Sequence, residues 1–101
     1  MDESSFDRLA GRTLETLFDA LEAGLDSAEV DYEGGILTVE LEDGGQYVIN
    51  RHAPNRQIWV SSPKSGAWHF ERKDEAWVST RGSDRLDALL GGELGLSLAL
   101  D

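Results

Sequence analysis

The sequence predicts an α+β two-layer sandwich: an N- and a C-terminal helix packed on one face of an antiparallel sheet of about six strands. Three observations carry this. Apolar residues recur at helical spacing at both ends of the chain. Between the ends, short alternating segments are punctuated by Gly, Pro, Asn and Asp. Those punctuating turns are short, so consecutive strands pair antiparallel. At 101 residues the chain reads as a single domain, 1–101. Such a domain buries roughly two-thirds of its unfolded surface, enough for one core.

Ser4 or Ser5 is the predicted N-cap of the first helix, with Asp2, Glu3 and Asp7 placed near its positive end. Phe6, Leu9, Ala10, Thr13, Leu14, Leu17, Ala20, Leu21 and Leu25 form its apolar side, and Gly24 ends it. On the far side Glu15, Asp19, Glu22 and Asp26 recur at steps of four, three and four. That spacing predicts one carboxylate stripe about three turns long. Like charges so placed cost a few tenths of a kcal/mol per pair.

Glu29 to Glu33 alternates, with Glu29, Asp31 and Glu33 on one side and Val30 and Tyr32 on the other. Gly34-Gly35 turns the chain. Ile36 to Leu41 follows, with Leu37, Val39 and Leu41 inward, and Asp43-Gly44-Gly45 turns again. Tyr47 to Ser62 reads as two strands joined by a Pro-Asn turn. Pro63 to Gly66 is a loop, Ala67 to Glu71 a strand, Lys73-Asp74 a turn and Ala76 to Thr80 the last strand. Ser83 is the predicted cap of a second helix beginning near Asp84, with Leu86, Leu89, Leu90 and Leu94 as its stripe. Gly91-Gly92 weakens that helix by about 1 kcal/mol per glycine. Leu96, Leu98 and Leu100 form an apolar tail able to cover the gap between the helices.

Parity decides what the second sheet face carries. Ile58 and Val60 need the core, so Trp59 turns outward. The outer face then holds Thr38, Glu40, Gln46, Val48, Asn50, Gln57, Trp59, Ser61 and His69. A tryptophan among amides and hydroxyls is a recognition anchor or a half-buried strand residue. As an exposed anchor, its removal should leave folding nearly intact. Trp68 and Trp77 are assigned to core or sheet edge. His52 and His69, set apart in sequence, read as surface or hydrogen-bonding histidines.

Charge is distributed unevenly. Residues 1–43 hold 13 of the 20 acids and two of the nine bases, and so carry the entire net charge of −11. This argues against nucleic acid and against anionic membrane. It favours cations, a basic protein partner, or a solvated acidic face with no ligand. Neither His nor Cys sits among Asp19, Glu22, Asp26, Glu29 and Asp31. Carboxylates alone suit hard cations, bound weakly and adaptably, and do not select a transition metal. Zero cysteines exclude disulfides, zinc thiolates and a thiolate-held cluster within the chain. No apolar run is long enough to span a membrane, and the start resembles neither a signal nor a transit sequence. No nucleophile elbow, phosphate loop or zincin motif is present, so catalytic residues are expected to be absent.

Tyr47-Val48-Ile49-Asn50-Arg51, then Pro54-Asn55-Arg56-Gln57-Ile58-Trp59-Val60-Ser61-Ser62-Pro63, then Ser65-Gly66 and His69-Phe70, resemble the central signature of the frataxin family. The resemblance runs from about Ser5 to about Leu96. It implies the same sandwich and weakly bound iron, Fe(II) or Fe(III), with other divalent cations held less specifically. Glu15, Asp19, Glu22, Asp26, Glu29 and Asp31 match the family's acidic ridge. Phe18 and Ala23 fall where many relatives carry further acids, which lowers the iron capacity implied. Asn50, Gln57, Trp59, Ser61 and His69 match the family's partner-binding surface, which meets a cysteine desulfurase and an iron–sulfur scaffold protein. The position of His52 is often glutamine in the family. The implied role is an iron-binding regulator or iron donor of cluster assembly. Two alternatives stand beside it: a ferroxidase or iron-storage assembly, and an acidic interaction module without metal function. The resemblance implies a monomer, or an oligomer formed with iron. It implies a cytoplasmic protein if bacterial, and a mitochondrial matrix protein if a processed eukaryotic form.

Overall fold

The computed structural model describes residues 1–100. Its elements are α1 (Glu3–Gly24), β1 (Glu29–Glu33), β2 (Ile36–Glu40), β3 (Gln46–His52), β4 (Gln57–Ser62), β5 (Gly66–Lys73), β6 (Ala76–Ser79) and α2 (Leu86–Leu94). The strands form one six-stranded sheet in the order β1-β2-β3-β4-β5-β6. Every neighbouring pair is antiparallel. Both helices lie on one face, as the order of apolar patterns predicts.

That inner face holds the core. Phe6, Ala10, Leu14, Leu17 and Leu21 of α1 meet Leu37, Val39, Tyr47, Ile49, Ile58, Val60 and Phe70 from the sheet. Leu86 and Leu90 of α2 complete it beside Trp77. The parity assignments hold at every one of these strand positions. Trp77 lies in the core at 2 % exposure, and Trp68 packs half-buried against it.

Two local expectations are corrected. The N-cap of α1 is Asp2, not Ser4 or Ser5. Its carboxylate Oδ1 accepts the Ser5 N–H at 2.7 Å, satisfying one of the helix's unpaired donors. That bond from the Ser5 backbone holds the Asp2 carboxyl below its ordinary value. The Pro-Asn turn expected between β3 and β4 is present, as a 3-10 turn over Ala53–Asn55 closed by Arg56 in the left-handed region at φ 54°. The Arg56 guanidinium donates back to the Ala53 carbonyl.

The second correction concerns α2, which begins at Leu86 rather than near Asp84. Arg85 is still extended, and both Asp84 and Arg85 pair with β6. The Ser79 N–H donates to the Asp84 carbonyl at 2.7 Å, and Val78 bridges Arg85. The sheet therefore claims the residues that sequence alone gives to the helix. Ser83 caps nothing, and Arg85 at the N-cap position makes no side-chain capping bond. It pairs instead with Asp87 at 2.9 Å.

The two glycines do not end α2. A Cβ at Gly91 would stand 2.6 Å from the Leu96 carbonyl oxygen, so glycine is what lets the tail fold back onto the helix. The Leu96 N–H donates to the Gly91 carbonyl at 2.9 Å, after Gly95 reverses the chain at φ 72°. Leu96 then reaches the end of α1, where it crowds Gly24. Leu100 is buried, and Leu96 and Leu98 pack against the core. The tail covers the gap between the helices as predicted.

Candidate functional site

The outer face of the sheet is built from the alternate residues of each strand. Cross-strand register places Glu33, Ile36, Asn50, Trp59 and His69 in one transverse row. A second row holds Asp31, Thr38, Val48, Ser61 and Ala67. A third, shorter row holds His52, Gln57 and Glu71. The five predicted partner-binding residues, Asn50, Gln57, Trp59, Ser61 and His69, therefore share one face and adjoin one another. Ile36, at 46 % exposure, extends the apolar content of this face toward β1.

Trp59 is not a free-standing indole. His69, directly opposite on β5, stacks on one side with ring centroids 4.3 Å apart and planes 12° from parallel. His52 stacks with centroids 3.7 Å apart and planes 8° from parallel. The indole N–H donates to Gln57 Oε1 at 2.7 Å. Trp59 is thus half-buried within its own face. The expectation that its removal leaves folding nearly intact is corrected. Each aromatic pair contributes about 0.5–1.5 kcal/mol beyond burial, so truncation costs the fold too.

The six predicted metal-binding carboxylates are all exposed, and they fall in three places. Glu15, Asp19 and Glu22 run along the solvent side of α1. Asp26 falls after the helix end and leaves the stripe. With Glu42 and Asp43 it lines a shallow depression of about 400 Å³ between the α1–β1 loop and the β2–β3 turn. Glu29 and Asp31 project from edge strand β1 on the sheet's outer side, the side that carries Trp59. Among the described residues none of the six is ion-paired, and no three acids or histidines converge tightly enough to hold a metal ion. The chemistry available is loose oxygen ligation along an acidic edge. Phe18 packs its ring 6.0 Å from the Tyr32 ring and ties α1 to β1.

The frataxin-like domain family matches residues 1–99. The chain belongs to the frataxin family. It is 40% identical over 94 residues to the iron-sulfur cluster assembly protein CyaY of Cupriavidus pinatubonensis, covering 89% of this chain and 84% of that one. The frataxin of Psychromonas ingrahamii superimposes with a TM-score of 0.80 at 24% identity, covering 97% of this chain and 96% of that chain. A trimeric frataxin of Saccharomyces cerevisiae, complexed with ferrous iron, superimposes with a TM-score of 0.72 at 34% identity, covering 94% of this chain and 84% of that chain.

Two residues of this frataxin-family chain escape sequence reasoning. His52 shares its face with Asn50 by parity, which is the signal that could have found it. Glu93 is the other: an acid between Gly92 and Leu94 in the last turn of α2, whose other acid, Asp87, sits in the first turn. Its Oε1 accepts from the Tyr47 hydroxyl and the Ser62 hydroxyl, each at 2.7 Å. Its Oε2 accepts from the Ser65 hydroxyl at 2.5 Å, and Ser65 in turn accepts the Trp68 indole N–H at 2.8 Å. The Ser62 hydroxyl also caps the backbone N–H groups of Lys64 and Ser65. One carboxylate on α2 thereby fixes the β4–β5 loop, next to Ser61 on the outer face of the sheet.

This network predicts a pH dependence. Burial raises the Glu93 carboxyl and is the largest single influence on it. The hydroxyls of Ser65, Ser62 and Tyr47 with the Lys64 charge outweigh burial and hold it below 4.5. A carboxyl depressed by folding stabilises the fold above its unfolded value, and that contribution is lost as pH falls through the folded value. Tyr47 works in the opposite sense. Burial, then its bond to Glu93, push the phenol from 10.0 up to about 12. Its contribution is complete below 10.0 and is lost as pH rises toward about 12. Melting curves of wild type and Glu93→Gln should therefore converge on acidification below 4.5. Curves that stay parallel there would show that the carboxylate's charge contributes nothing.

Proposed function

We propose that this protein regulates iron–sulfur cluster assembly by docking, through the outer face of its sheet, onto a cysteine desulfurase–scaffold complex, and that it carries iron weakly on its acidic edge. The observation that supports this most is the row Ile36, Asn50, Trp59 and His69, a large aromatic anchor in a polar, solvent-facing sheet. Interfaces concentrate binding energy in such anchors and surround them with polar groups. The relative from Cupriavidus pinatubonensis is named for cluster assembly, and the yeast trimer was obtained with ferrous iron. Both names agree with the reading.

The two surfaces have separate tasks. The acidic edge, unpaired and exposed, attracts a basic partner groove over distance and speeds encounter. The Trp59 face supplies the short-range contacts that hold the complex. Iron is cargo or signal here, ligated by carboxylate oxygens without a rigid cage. The proposed working form is the monomer in a bacterial cytoplasm, with iron-linked oligomers as a loaded form.

An Fe(II) titration followed by NMR tests the iron half. Glu15, Asp19, Glu22, Asp26, Glu29 and Asp31 should shift or broaden first. Because Asp26 stands apart from the α1 stripe, it should respond with Glu42 and Asp43. Perturbation confined to the sheet around Trp59 would contradict the assignment.

A further inference from the structure

We infer that His52 and His69 are positioning residues for Trp59, clamping its indole into a three-ring stack that a docking partner meets edge-on. The inference rests on the docking role proposed above and specifies how that face works. With rings 3.7 Å and 4.3 Å away and nearly parallel, the indole is covered on both sides. A partner guanidinium or aromatic ring therefore cannot lie flat on Trp59 unless an imidazole swings aside. The indole N–H is also committed, to Gln57 Oε1. What the indole offers outward is its carbon edge, held in one orientation.

His52 is the informative member. Cross-strand register sets it opposite Gln57, not Trp59, so it reaches the indole diagonally. On β3 the residue directly opposite Trp59 is Asn50, and its amide donates to the Arg51 carbonyl at 3.2 Å. That leaves room for the His52 ring. His52 Nδ1 is buried with no hydrogen-bond partner among the described residues. No bond at that atom accounts for the ring's placement, whereas stacking on the indole does. The functional consequence is entropic. An anchor side chain frozen before docking does not lose that freedom on binding, which makes the complex tighter.

The test combines a spectroscopic signature with affinities. In the free protein the carbon-bound imidazole protons of His52 and His69 should show upfield ring-current shifts in NMR spectra, and Trp59→Ala should abolish them. Unshifted imidazole protons overturn the stack. Affinity is then read against a purified cysteine desulfurase–scaffold complex. His52→Ala should weaken binding by roughly three- to tenfold, the cost of ordering one side chain. His52→Phe, which keeps a flat ring, should restore it. In a Trp59→Ala background His52→Ala should have no further effect, because a positioning residue has nothing left to position. A further loss in that background would mean that His52 touches the partner itself, and unchanged binding of His52→Ala alone would remove the positioning role. If Trp59→Ala itself binds like wild type, the docking role fails and the positioning role with it. The ring currents then still report whether the stack exists.

Discussion

Replacing Trp59 with alanine is expected to weaken binding to a desulfurase–scaffold complex by about 2 kcal/mol or more, roughly thirtyfold in Kd. The indole sits at the centre of the outer face, between Asn50 and His69 in its row and next to Gln57 along its strand. Central aromatic anchors carry the largest truncation costs in interfaces. The variant should also lose stability, because two stacked pairs disappear at about 0.5–1.5 kcal/mol each. It should still fold, since the inner-face core is untouched. Titration calorimetry of the folded variant measures the first effect and thermal melting the second. A variant that melts lower yet binds normally would make Trp59 a structural residue and nothing more.

Trp77→Ala should do the reverse and cost the fold about 3–5 kcal/mol, the range for truncating a buried large aromatic. The indole is 2 % exposed and meets the Phe6 ring edge-on at 6.0 Å. Its N–H donates to the Thr13 hydroxyl at 3.0 Å, and Thr13 is itself buried in α1. The Arg72 guanidinium lies 5.5 Å from the ring. Truncation therefore opens a cavity between α1 and edge strand β6 and removes a buried hydroxyl's partner. For a domain whose total stability is about 5–15 kcal/mol, this is a large share. The melting temperature should fall by at least about ten degrees. Trp77→Phe, which keeps most of the ring volume, should recover much of the loss. A Trp77→Ala protein melting within a few degrees of wild type would show that the α1–β6 contact contributes little.

The layers of the fold were legible because each rests on a strict period. Leu37, Val39, Tyr47, Ile49, Ile58 and Val60 obey a period of two, and this alone turns Trp59 outward. Phe6, Leu14, Leu17 and Leu21 obey the helical period and find the same core. The misread positions are those where a tertiary partner outbids a local rule. Asp2 and the serines after it are all good caps, and only chain geometry selects among them. Asp84 and Arg85 follow a plausible cap, yet β6 recruits them into a bridge. Gly91 looks like a helix breaker, and the close approach of Leu96 explains it.

The site was legible by the same measure. Asn50, Gln57, Trp59, Ser61 and His69 fall on one face because parity is local to each strand and the turns are short. The stack on Trp59 was not legible, because diagonal contact across two strands depends on where Asn50 sends its amide. Glu93 was hidden for a related reason. Its hydroxyl partners lie 46, 31 and 28 residues away in sequence. The acidic stripe was legible on α1 and misjudged at Asp26, where the helix has already ended.

Isotope-labelled protein bound to an unlabelled desulfurase–scaffold complex offers the most direct measurement of the docking face. Cross-saturation from the partner should reach Ile36, Asn50, Gln57, Trp59, Ser61 and His69, and leave Leu89, Gly92 and the Leu96–Leu98 tail unaffected. Saturation concentrated on α2 and the tail, with a silent outer sheet face, would contradict the account.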